Sequence, residues 1–105
     1  MKLVVAIVQD QDALAVLNAL ARQGLRATKL ASTGGFLREG NTTVLVGVEE
    51  DAVDRVLDIL RSTGSVRREP VPPAEGGSGE EARPAEVLVG GATVFVLDVV
   101  RYAKF

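Results

Sequence analysis

Eighteen consecutive positions, Arg26 to Thr43, hold most of what this chain can offer a ligand. Arg26, Lys29 and Arg38 are cations, and Thr28, Thr33, Asn41 and Thr42 add neutral donors and acceptors. Gly34-Gly35 has no Cβ to keep an anion away from backbone amides. Phe36 and Leu37 are apolar where a loop tip is normally polar, and a flat ring there can stack on a nucleobase. Residues 13–38 carry Arg22, Arg26, Lys29 and Arg38 and no acid, a local +4 in a chain of net charge -2, so the remainder carries -6. A cationic patch on an acidic chain suits a small anionic ligand better than a long polyanion. Each feature also has a plainer use. Gly34, Gly35 and Gly40 serve turns, Phe36 can plug a neighbouring subunit, the cations can be a solvated face, Thr28 is a β-former, and Asn41 suits a turn or a strand start. What favours a site is their convergence in one short stretch.

Other chemistry is excluded by residue type. The chain has no cysteine and no histidine. That removes disulfides, thiolate and imidazole metal ligation, and the nucleophile-histidine mechanisms. The acidic groups Asp10-Asp12 and Glu49-Glu50-Asp51 read as helix-start acids rather than a metal site, and Glu80-Glu81 as solubilising. No nucleophile or general base stands out, so the expectation is a binding protein and not an enzyme, with neither metal nor cofactor. The acidic balance argues against a nucleic acid polymer as partner. The longest apolar run, Leu3 to Val8, is too short to span a bilayer, and Met1-Lys2 opens no signal peptide. No membrane association and a cytoplasmic location are expected.

These residues need a scaffold, and 105 residues with 47% hydrophobic content suit one domain, 1–105. Leu3 to Val8 reads as a buried strand. Asp10 is a candidate cap for a helix whose stripe is Ala13, Leu14, Val16, Leu17, Leu20 and Ala21, with Gly24 to stop it. Ala27 to Ser32 is a second strand, residues 33–41 a short loop, and Thr42 to Val48 a third strand. Glu49 to Asp51 opens a second helix with its stripe at Val53, Val56, Leu57 and Leu60. Residues 65–84 hold all four prolines and three glycines and read as a long flexible loop. Ala85 to Val89 and Ala92 to Val100 are two more strands around Gly90-Gly91, which is either a tight turn or a further place where backbone meets ligand.

The order βαβ, twice, echoes itself at an offset of forty residues: Val4, Val5 and Val8 match Val44, Leu45 and Val48. It predicts an α+β, ferredoxin-like βαββαβ fold, an antiparallel sheet with both helices on one face and an extra strand near the C-terminus. Leu3 to Val8 and Thr43 to Val48 lack the aromatics with which such a sheet binds RNA. Gln9-Asp10-Gln11-Asp12 is acidic where an acylphosphatase-like enzyme needs an arginine-bearing phosphate loop. Leu3 to Val8, Val44 to Val48 and Val94 to Leu97 are apolar at nearly every position, so both faces of the sheet want cover and two helices supply one. Each apolar side chain left open forfeits roughly 1.5–3 kcal/mol. A closed homo-oligomer packed sheet to sheet is expected.

The opening Met1 to Asp12, the Arg26 to Thr43 stretch and Val89-Gly90-Gly91-Ala92-Thr93-Val94-Phe95-Val96 together resemble the cyclic di-AMP receptors of the PstA/DarA type, relatives of the PII signal proteins. The likeness spans the chain except residues 65–84. It implies a PII-like homotrimer without enzymatic activity, a cyclic di-AMP site at each cleft between subunits, signalling by loop ordering, and an unknown downstream protein target. It implies that Arg26, Thr28 and Asn41 contact phosphate and adenine, that Phe36 and Leu37 pack on a base, and that the backbone at Gly47 faces the ligand. From the neighbouring subunit, Gly90, Gly91, Ala92 and Phe95 complete the wall. Where the family ends in glutamine and phenylalanine this chain has Lys104-Phe105, which offers a charge to phosphate in place of an amide to base. A PII-like sensor of ATP or another adenine nucleotide is the alternative.

Overall fold

The computed structural model describes residues 1–30, 40–71 and 85–105. The elements in chain order are β1 (Lys2–Gln9), α1 (Asp10–Arg22), β2 (Ala27–Leu30), β3 (Asn41–Val48), a 3-10 turn (Glu50–Ala52), α2 (Val53–Gly64), β4 (Arg67–Val71), β5 (Ala85–Val89) and β6 (Ala92–Asp98). Four strands form an antiparallel sheet in the order β2-β3-β1-β6, and β4 pairs with β5 as a separate two-stranded ribbon. With β6 as its fourth strand, this is the ferredoxin-like arrangement, and the ribbon is inserted between α2 and β6.

The core follows from the period of two in the strands and the apolar stripes of the helices. Val4, Ala6 and Val8 of β1 and Val44, Val46 and Val48 of β3 are buried with Val16 and Leu20 of α1 and Val56 and Leu60 of α2. The alternate positions Leu3, Val5, Ile7 and Leu45 face away from the helices and stay half-buried. On β6, Phe95 is 52% and Leu97 48% exposed. The apolar second face inferred from sequence is there, and among the described residues none covers it.

Several expectations are corrected. Gln9, not Asp10, takes the N-cap position of α1 and makes no side-chain cap; Asp10 accepts a hydrogen bond from Thr42 Oγ1 instead. Leu14 and Ala21 lie outside the buried stripe, Leu14 being 69% exposed. Asn41 is the first residue of β3, opposite Gln9, and not the end of a loop. The last strand stops at Asp98 rather than Val100. Part of the long loop expected over 65–84 is a strand: Arg67–Val71 pairs with Ala85–Val89, the extra strand near the C-terminus. Residues 72–84, like 31–39 with the end of the second predicted strand, lie outside the described residues.

A two-stranded ribbon is marginal alone, so its anchorage matters. Arg67 supplies one link. Its guanidinium donates to both carboxylate oxygens of Asp12 at 2.6 and 3.3 Å, and Asp12 is almost fully buried in the first turn of α1. The carboxylate also meets the positive end of the helix. Arg67→Ala strands that carboxylate. Water can reach the half-exposed arginine side, so the expected loss is about 1–3 kcal/mol rather than the larger cost of breaking a fully buried pair. Urea melts at fixed protein concentration check this, and adding Asp12→Ala should recover part of the loss.

Candidate functional site

Cross-strand register decides which residues share the open face. Thr28 of β2, Leu45 of β3, Val5 of β1 and Phe95 of β6 form one row across the sheet. Gly47, Leu3 and Leu97 form the next row, towards the end where β1 begins. Arg26, one residue before β2, falls level with that row.

Arg26, Thr28 and Gly47 meet in one open cavity of about 470 Å3. Leu3 and Leu45 lie beside Gly47 on the central strands, and Met1, Val99 and Tyr102 come from the chain termini. The volume falls within the range of small-molecule sites, about 300–1,000 Å3. Its chemistry is divided. One side offers a guanidinium and a hydroxyl, the natural partners of a phosphate, and the middle is aliphatic and flat.

Gly47 decides what that flatness is for. A glycine inside a strand costs roughly 0.5–1 kcal/mol relative to alanine. Gly47 has no positive φ, and a Cβ built on it meets no atom within 4 Å. Among the described residues, neither backbone conformation nor packing asks for glycine there. Bare backbone at such a position leaves room for close approach from outside the chain.

The other residues expected at the site are dispersed. Asn41 is on the same face but four residues further along β3 than Leu45, about 13 Å at roughly 3.3 Å per residue. Phe95 stands at the far end of Thr28's row, three strand spacings or about 14 Å away. Phe36 and Leu37 lie outside the described residues. Gly90 and Gly91 carry φ of +84° and +101° where the chain passes from ribbon to sheet. Their amides already donate within the chain, Gly90 to Gln9 Oε1 and Gly91 to the Gly64 carbonyl, each at 2.6 Å. What the two glycines leave for a ligand is carbonyl and Cα surface, not amide protons, and Ala92 beside them is exposed.

Sequence inspection missed Leu3, Leu45, Val99 and Tyr102. Leu3 and Leu45 were legible in principle, because the period of two puts them on the face away from the helices. Val99 and Tyr102 depend on the path of the tail, which starts with Val99 N–H donating to the Met1 carbonyl at 3.1 Å. Beside it, Lys2 and Asp98 pair across β1 and β6. The lysine's hydrogen bond, then its charge, holds the Asp98 carboxyl below the ordinary aspartate range, and the same hydrogen bond raises Lys2. Both groups are solvated, so this pair orients the chain end more than it stabilises it.

Among the described residues no group of acidic side chains could hold a metal ion, and no helix is long and apolar enough to cross a membrane. A family model described as Cyclic-di-AMP receptor matches residues 1–105. The fold is also similar to the crystal structure of a functionally unknown protein from Pediococcus pentosaceus ATCC 25745. The two chains are 45% identical with a TM-score of 0.81, over 99% of this chain and 96% of the other.

Proposed function

This chain belongs to the cyclic-di-AMP receptor family, and from that premise we propose that it is a homotrimeric, non-enzymatic sensor that grips cyclic di-AMP in clefts between subunits. The ligand carries two phosphates and two purines. It needs cations and hydroxyls at separated points and flat apolar walls between them. Arg26 and Thr28 serve phosphate, and a base lies over Gly47. Asn41, with Phe36 and Leu37, serves the more distant parts of the ligand.

The observation that carries this reading is the unneeded glycine at Gly47, beside a cation and a hydroxyl in an open cavity. The spacing across the sheet supports a site shared between copies. Phe95 is too far from Thr28 in one chain to close the same cavity, whereas a neighbour's β6 can bring its own Phe95 and the Gly90-Gly91-Ala92 turn. That docking also covers the bare apolar face. Signalling runs through ordering of loop segments on binding, which displays or hides a surface for a downstream protein.

Titration calorimetry against cyclic di-AMP, cyclic di-GMP and ATP tests the reading. The expected result is binding of cyclic di-AMP at about one per chain, undisturbed by excess ATP. Displacement by ATP favours a sensor of mononucleotides. Absence of binding to all three removes the proposal.

A further inference from the structure

Tyr102 is the one tyrosine of a chain that has no tryptophan. It is 64% exposed, yet it lines the cavity that holds Arg26, Thr28 and Gly47. An aromatic side chain that lines an apolar hollow offers a flat face to a ligand there. Three features hold it there. The N–H of Val99 donates to the Met1 carbonyl, which fixes where the chain leaves β6. Lys2 and Asp98 pin the last pair of β1 and β6. Val99 itself reaches the cavity, so the tail runs along the site rather than away from it. Gly47, which lacks a Cβ, lines the same cavity, so the site offers a flat group both an aromatic ring and bare strand backbone.

On the reading that the cavity takes cyclic di-AMP, we infer that Tyr102 of the C-terminal tail is a base-stacking wall: one adenine is held between the Tyr102 ring and the Gly47 backbone while Arg26 and Thr28 hold the adjoining phosphate. Stacking uses the face of the ring and asks nothing of the phenol hydroxyl. The tail contact is therefore made by Tyr102 and not by Lys104, which is exposed and does not line the cavity.

Since Tyr102 is the only fluorophore of its kind in the chain, it reports on itself. Cyclic di-AMP is titrated while tyrosine emission and calorimetric heat are followed for the wild type, Tyr102→Phe, Tyr102→Ala and Lys104→Ala. Base-aromatic stacking predicts that Tyr102→Ala weakens binding roughly 5- to 100-fold. Tyr102→Phe and Lys104→Ala stay within about threefold of wild type, and ligand quenches wild-type emission along the calorimetric isotherm. Binding by the wild type with unchanged emission and undiminished affinity in Tyr102→Ala overturns the inference alone. No binding by the wild type overturns the reading beneath it as well. Native mass spectrometry on Tyr102→Ala separates the remaining case: an assembly that falls apart together with affinity makes Tyr102 an interface residue and also refutes the stacking role.

Discussion

Gly47→Val is expected to leave the protein folded, at least as stable as before, and unable to hold cyclic di-AMP. Valine is a better strand residue than glycine by up to about 1 kcal/mol, and no described residue comes within 4 Å of its Cβ. Backbone geometry is no obstacle, because φ at Gly47 is not positive. The isopropyl group projects from the open face into the middle of the cavity, level with Arg26 and between the groups assigned to phosphate and base. A ligand that approaches the backbone there loses both contacts at once. The expected loss is at least about a hundredfold in affinity, about 2.8 kcal/mol. Calorimetry gives the affinity, a thermal melt the stability, and native mass the assembly. Lost binding with melting temperature and assembly intact is the predicted combination. Full affinity in Gly47→Val contradicts the placement of the ligand over β3.

Gly90→Ala is expected to do the reverse and damage the fold. Gly90 has a φ of +84°, so any side chain is strained there. Its Cβ also collides with the Ser65 carbonyl and comes within 2.6 Å of Arg67 Nη1. Neither atom can yield easily, since one is backbone and the other belongs to the guanidinium that holds Asp12. Three anchors of the ribbon therefore fail together: the Gly90 amide on Gln9, the Gly91 amide on Gly64 and the Arg67-Asp12 pair. Backbone strain with a steric clash places the cost at about 3 kcal/mol or more, a fall in melting temperature on the order of 10 °C or more for a domain this size. Gly24→Ala is the control. Gly24 also has positive φ, +74°, but a Cβ there meets nothing within 4 Å, so only the strain remains, about 1–2 kcal/mol. Equal melting temperatures for the two variants would show that the contacts around Gly90 do not anchor the ribbon.

The fold was legible where the physical code is local. Runs of Val, Leu and Ile of strand length, a helical stripe at Val56 and Leu60, and Gly24 after α1 each specify an element without help from the rest of the chain. The errors have equally specific causes. Leu14 satisfies a helical spacing, but the sheet below α1 is covered by Ala13, Val16 and Leu20, so Leu14 turns to solvent. Arg67-Arg68-Glu69-Pro70-Val71 has neither alternation nor an apolar run, and it is a strand because the apolar Ala85–Val89 pairs with it. Asp10 had the chemistry of a cap, but Thr42 on β3 competes for its carboxylate.

The site was legible as a set of residue types and illegible as a shape. Arg26 and Thr28 announced themselves by chemistry. That Gly47 lies beside them while Asn41 lies about 13 Å from the row of Thr28 and Leu45 follows from the pairing of β2 with β3, a non-local property. Tyr102 was passed over because nothing in Arg101-Tyr102-Ala103-Lys104 shows that the tail runs back along the sheet. The open apolar face was visible in the strands themselves, which are apolar at nearly every position where two helices can cover only one face.

The central claim is that the ligand site is completed by neighbouring copies of the chain, and native mass spectrometry across a dilution series with cyclic di-AMP tests it most directly. The account predicts an assembly of three chains carrying up to three ligands, with no ligand retained on single chains. Single chains that each hold one cyclic di-AMP, at concentrations where no larger species exists, would contradict it.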